Sequence, residues 1–175
     1  MYGNNDPINM FDPDGEDTIV ALRANPIGRA PGVGTYGHAF VQYTDTETGE
    51  SRISRAGPSA PYPGGSRDAI TNRSFDGVNI EAIDTPAEQN IDFGQPGAVE
   101  VMSVTVEGDI GDVQSQLGTF NEQVNESQTP YQPRGPNSNT YAGDAFQHVT
   151  GQAPENDTDV SLPGLNNDIP LEENR

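Results

Sequence analysis

The chain has 175 residues, with 27 carboxylates against 8 basic side chains, a formal charge of -19, no Cys and no Trp. Apolar residues make up 31%, below the ~45–50% of an average globular chain, and 20 Gly and 15 Pro leave room for one modest core surrounded by loop. So negative a field repels nucleic-acid phosphate and anionic membranes; no apolar run nears the ~18–20 residues of a bilayer span, and the absence of Cys excludes disulfides, thiolate metal ligands and a cysteine nucleophile.

Residues 1–16 are turn-rich: Asn5-Asp6-Pro7 and Asp12-Pro13-Asp14-Gly15 each combine an Asx side chain with Pro, the second ending in Gly. Residues 1–10 lack both a basic and a hydrophobic signal region. The segment 18–24 is β-rich, and a Gly/Pro loop is expected over 25–35. Residues 37–44 alternate, with His38, Phe40 and Gln42 on one face and Ala39, Val41 and Tyr43 on the other. A turn at 45–50 leads into a returning strand at 51–57, a hairpin with a longer loop. Residues 58–76 read as loop, and 77–83 and 98–106 as two further strands.

Asp109 then reads as an N-cap. Ile110, Val113, Leu117, Phe120 and Val124 follow at spacings of 3, 4, 3 and 4, one apolar stripe on a helix of roughly 110–126. After a Pro-rich loop, Asn137 or Ser138 caps a second helix running to about 149, with Ala142, Ala145, Phe146 and Val149 inward and Gly151 as its stop. Residues 152–175 are acidic, punctuated by Pro and Gly, and read as an irregular tail. The expected fold class is α+β: a small, loop-rich antiparallel sheet of four or five strands packed against two helices. The expected division is a junction at 1–16, the domain proper at 17–151 and the tail at 152–175.

All eight basic residues are Arg. An acidic, Lys-free surface keeps its hydration where salt screens charge, the Debye length falling to ~3 Å at 1 M. It therefore reads as halophilic; the alternative is an acidic domain that neutralises a basic partner.

Two His are present. His148 falls at a helix C-terminus, where the dipole favours a cation, and reads as a surface or capping residue. His38 sits early in a strand behind Gly34, Thr35 and Gly37, which allow close approach. The run Gly135-Pro136-Asn137-Ser138-Asn139-Thr140-Tyr141 puts a hydroxyl in a helix's first turn, where backbone N–H groups and the positive dipole end stabilise an oxyanion. The plain reading of Asn and Ser there is capping. In the catalytic reading His38 is general base to Ser138, Asn139 or Asn137 adds a donor, and Ser54 or Arg55 orients the imidazole. Arg55 also offers a planar fork to an anionic group. The acidic runs at 12–17 and 155–159 lack EF-hand spacing, and no metal cluster or cofactor motif is expected.

Tyr2-Gly3-Asn4-Asn5-Asp6-Pro7-Ile8-Asn9, followed by Asp12-Pro13-Asp14-Gly15, resembles the motif that closes the shell of Rhs/YD-repeat proteins, with Asp6 as an extra residue. The resemblance implies that residues 17–175 are a variable C-terminal effector, a polymorphic toxin. Its partners would be the parent Rhs shell and a cognate immunity protein. It would be encapsulated first, then secreted or delivered into a target cell, as a monomer. The strand Gly37-His38-Ala39-Phe40-Val41, the return strand ending Ser54-Arg55-Ala56-Gly57-Pro58 and the later helix opening Pro136-Asn137-Ser138-Asn139-Thr140-Tyr141 resemble circularly permuted papain-like domains of the LRAT/NlpC-P60 kind. There an Asn-Cys opens the helix and the Cys is the nucleophile; here Ser138 stands in its place. This implies a hydrolase or acyltransferase acting on an amide or ester bond, with Asn137, Tyr141 and Arg55 toward the substrate. The alternatives are a Cys→Ser replacement and a non-catalytic binding module on the same scaffold. A nuclease or ADP-ribosyltransferase toxin is the weaker option, lacking its metal cluster or nicotinamide pattern.

Overall fold

The computed structural model describes residues 17–30, 34–60, 78–89, 97–132 and 135–171. The shell-closing motif at 1–16 and most of the 58–76 loop lie outside them. The elements in chain order are β1 (Asp17–Ala30), β2 (Gly34–Asp45), β3 (Ser51–Pro58), β4 (Ile80–Pro86), a 3-10 turn at Ala87–Gln89, β5 (Val99–Glu107), α1 (Ile110–Ser127), α2 (Ser138–Thr150) and the short β6 (Val160–Ser161). The sheet runs β4-β3-β2-β1-β5 with antiparallel pairings, and β6 adds to β2 in parallel. The α+β architecture is thus as expected.

Strand alternation divides the sheet into two faces. Val20, Leu22, Ala24, Ala39, Val41 and Tyr43 point to the helices and meet Val113, Leu117, Phe120 and Val124 of α1 and Tyr141, Ala142, Ala145 and Phe146 of α2. Two Gly in α1 each cost about 1 kcal/mol of helix propensity, whereas each large side chain of its stripe contributes about 1.5–3 kcal/mol on leaving water. Packing therefore holds α1. Its ends are local: Asp109 accepts from the Asp112 N–H at 2.8 Å, and Gln128 takes the left-handed position after the last turn. α2 stops at Gly151 (φ 70°), whose N–H donates to the Gln147 carbonyl at 2.8 Å. The opposite face carries a smaller cluster of Phe40, Ile53 and Ala87.

Two expectations are corrected. The loop over 25–35 is largely strand, since β1 runs to Ala30 and β2 starts at Gly34. Pro26 is tolerated because the β1–β2 register shifts between Pro26 and Gly28, a bulge that needs no ladder donor from proline. Gly28 leaves room for its neighbour: a Cβ there would lie 2.5 Å from the Tyr36 hydroxyl, and the tyrosine side chain would have to move to admit it. The tail is the second correction. Residues 152–171 have little regular structure, but Val160, Leu162, Leu165 and Ile169 are buried in the main core, so this segment is a strap over α2. Among the described residues no helix is long and apolar enough to cross a membrane.

Candidate functional site

β2 pairs with β6 at Thr35 and Tyr36 and with β3 from Val41 to Thr44, so among the described residues no strand pairs with 37–40 on that side. The opening turn of α2 fills the gap. The Asn139 Oδ1 accepts the Ala39 N–H at 2.7 Å, and its Nδ2 donates to the Gly37 carbonyl at 3.2 Å and the Pro163 carbonyl at 3.1 Å. A side-chain amide here does the work of a strand, satisfying backbone groups on both sides of His38.

Asn137 is the N-cap, its Oδ1 accepting the N–H groups of Asn139 (2.8 Å) and Thr140 (3.2 Å). The Asn137 N–H donates to Thr140 Oγ1 at 3.2 Å, completing a capping box. The strap closes over this turn: Asn137 Nδ2 donates to the Pro163 carbonyl at 3.1 Å and Thr140 Oγ1 to the Gly164 carbonyl at 2.7 Å. Two first-turn N–H groups expected to face an oxyanion are thus taken by Asn137, and the Asn139 amide has no donor left for one. Both asparagines are structural here, because the sheet gap and the helix start need their amides. Ser138 is 5% exposed, and its Oγ lies 3.3 Å from the Tyr131 hydroxyl. Tyr131 is the residue that the sequence reading missed; it sits in the connection between the helices, outside any periodic pattern.

The remaining candidates separate by face. His38 is half-buried with its Nε2 sealed from solvent, and alternation sets it with Phe40 on the face away from the helices. Ser54 points the other way. Its Oγ is 2.5 Å from the Tyr141 hydroxyl and 3.2 Å from Asn121 Nδ2, and Tyr141 donates in turn to Asn121 Oδ1. All three are buried, and desolvation pushes the Tyr141 phenol well above its ordinary range. Ser54 therefore does not share His38's face, and Tyr141 is a core residue rather than a substrate contact. Each spends its hydroxyl on an otherwise unsatisfied polar group inside the core. Arg55 lies on the His38 side, paired in register with Ile83 of β4. His148 is exposed near the end of α2 and stacks on Phe120 at a centroid distance of 5.0 Å.

A second polar cluster lies under the sheet. The Tyr43 hydroxyl donates to Asp84 Oδ2 at 2.5 Å, while Arg52 Nε (2.9 Å) and Nη2 (2.6 Å) donate to Asp84 Oδ1. Burial, then the Asp84 carboxylate, raise the Tyr43 phenol far above its usual value. Among the described residues no three His, Cys, Asp or Glu side chains are grouped to hold a metal.

The strap is also held by a titrating group. The Ile169 N–H donates to Asp144 Oδ2 at 2.8 Å, and burial, aided by the charge of Asp168, raises the Asp144 pKa to about 6. A raised carboxylate costs folding stability when ionised, and the cost disappears as pH falls through about 6 toward the unfolded value of 3.8. Asp144→Asn keeps an acceptor for Ile169. It should melt higher than wild type at pH 7 and equal to it near pH 4, in parallel thermal scans.

Comparison with family models, with curated proteins and with solved structures found no match to this chain.

Proposed function

We propose that this chain is the effector tip of an Rhs-like polymorphic toxin that cleaves or transfers an acyl group at an amide or ester bond, with Ser138 as nucleophile and His38 as base. The observation that carries the reading is Asn139, whose amide binds the backbone on both sides of His38 and so draws the opening of α2 to that residue. His38 would remove the Ser138 proton around the open edge of β2 and return it to the leaving group. With the N–H groups of Asn139 and Thr140 capped, the oxyanion would be held by the Ser138 N–H and the Tyr131 hydroxyl. The parent Rhs shell and an immunity protein are the partners this reading implies.

A second reading, a binding module on a papain-like scaffold without its nucleophile, is favoured by the burial of Ser138 and by the capped first turn. Expression in bacterial cells separates the two. The first expects growth arrest with wild type and none with Ser138→Ala or His38→Ala. Arrest that persists in both variants favours the second.

A further inference from the structure

We infer that the outer edge of β5 docks an extended basic polypeptide segment, one that alternates Lys or Arg with aliphatic residues and adds to the sheet as a further strand. This goes beyond the Ser138–His38 reading and does not depend on it. β5 ends the strand order β4-β3-β2-β1-β5 and pairs with β1 on one side. The Asp17 carbonyl accepts the Thr46 N–H at 3.0 Å, on the β2 side of β1. Backbone groups alternate sides along an antiparallel strand, so Thr18, Val20 and Leu22 turn toward β5, where they oppose Val106, Val104 and Met102. Ser103, Thr105 and Glu107 therefore turn their backbone N–H and C=O outward, and among the described residues nothing pairs with them there.

Elsewhere in the sheet such openings are closed. At the β4 edge the Ile80 N–H donates to the Thr129 carbonyl at 2.9 Å and the Ala82 N–H to Asn125 Oδ1 at 2.7 Å, while Asn125 Nδ2 donates back to the Ala82 carbonyl at 3.1 Å. Asn139 does the same beside His38. β5 has no such cap, and neither Pro nor Lys, two devices that blunt an edge. Its register with β1 shifts between Leu22 and Arg23, a bulge that sets Val101 aside and leaves 102–107 as the regular edge. The one edge device present is charge, and its sign selects the partner.

Met102, Val104 and Val106 pack on the main core, yet each stays half-buried because the sheet ends there. Glu100, Ser103, Thr105 and Glu107 are exposed on the other face, Glu100 accepting from the Ser103 hydroxyl at 2.9 Å. Asp17 opposes Glu107 in register, Asp109 and Asp112 open α1 just beyond it, and the Glu155 N–H lies against Met102 Sδ. The basic side chain nearest by register is Arg23, opposite Glu100 and bonded through Nη1 to Gln42 Oε1. An added strand with basic residues opposite Thr105 and Glu107, and aliphatic ones beside Val104 and Val106, suits both faces. A second copy of this chain is opposed, since it sets a net charge of -19 against its like.

The test is amide hydrogen exchange, read by NMR at constant ionic strength, with and without a capped synthetic peptide that alternates Lys and Val over the length of β5. In the protein alone, Ser103, Thr105 and Glu107 should exchange fast and Met102, Val104 and Val106 slowly. The peptide should bind saturably and slow the first three. A peptide with Glu for each Lys, and the basic peptide with methylated backbone nitrogens, should each bind about tenfold more weakly or worse. Thr105→Pro removes an outward N–H without touching the β1 ladder, so it should melt near wild type and lose the peptide. If that variant does not fold, the methylated peptide decides the same point. Slow exchange of the first three in the protein alone, equal binding of either control peptide, or undiminished binding by folded Thr105→Pro overturns the inference. So does a dimer of the protein alone that Thr105→Pro dissolves.

Discussion

Replacing Asn139 with alanine is expected to lower the melting temperature by on the order of 10 °C. The substitution strands the Ala39 N–H and the Gly37 carbonyl, both of which the amide satisfies now, while the Pro163 carbonyl keeps its bond from Asn137. A buried polar group left unsatisfied costs about 1–3 kcal/mol, so the loss should reach about 3 kcal/mol or more even with incomplete additivity. For a domain of this size each kcal/mol moves the melting temperature by about 2–4 °C. Asn139→Asp is no rescue, because it keeps the acceptor for Ala39 while replacing the donating nitrogen with an oxygen that faces the Gly37 and Pro163 carbonyls. Asn137→Asp should be far milder, since Asp caps a helix as well as Asn does and the Pro163 carbonyl keeps its bond from Asn139. A loss below about 1 kcal/mol for Asn139→Ala would mean that the amide does not bridge the sheet gap.

The second large effect is Gly143→Ala in the middle of α2. Alanine is the better helix former by about 1 kcal/mol, so propensity alone predicts a gain. The added Cβ would lie 2.4 Å from the Leu165 carbonyl oxygen and 3.2 Å from Pro154 Cγ, and the first of these is backbone of the strap. Helix and strap must separate to admit it, undoing the contacts that bury Leu162, Leu165 and Ile169. The clash should win, with a net loss of about 2–4 kcal/mol, in the range of overpacked or disrupted cores. Gly118→Ala in α1 is the matched control: its Cβ meets nothing within 4 Å, and the variant should gain about 0.5–1 kcal/mol. If both glycine variants shift stability in the same direction, the strap does not pack on α2 as described.

What the sequence reveals follows from the range of the forces involved. The stripe from Ile110 to Val124, the Asp109 cap and the Gly151 stop are set by residues within a turn or two, and all three stand as the spacing predicts. The division of β2 into a His38–Phe40 face and an Ala39–Tyr43 face is equally local. Its consequence is not: which face the helices cover depends on packing between distant segments. They cover the Ala39 face, so Ser138 can meet His38 only at the strand's edge. The strand partners of Asn139, Gly37 and Ala39, stand about a hundred positions earlier in the chain, and no periodicity marks them. Pro26 inside a strand, Ser54 and Tyr141 inside the core, and the docked strap were hidden likewise, because local composition signals turns and polarity while tertiary pairing satisfies those groups.

Reaction with a fluorophosphonate probe, followed by mass-spectrometric mapping of the labelled peptide, tests the Ser138–His38 pair most directly. Wild type should be labelled at Ser138, and His38→Ala should label at least ~100-fold more slowly, the usual scale of a lost general base. A wild-type protein that takes no label at Ser138, or one labelled equally fast without His38, contradicts the pair.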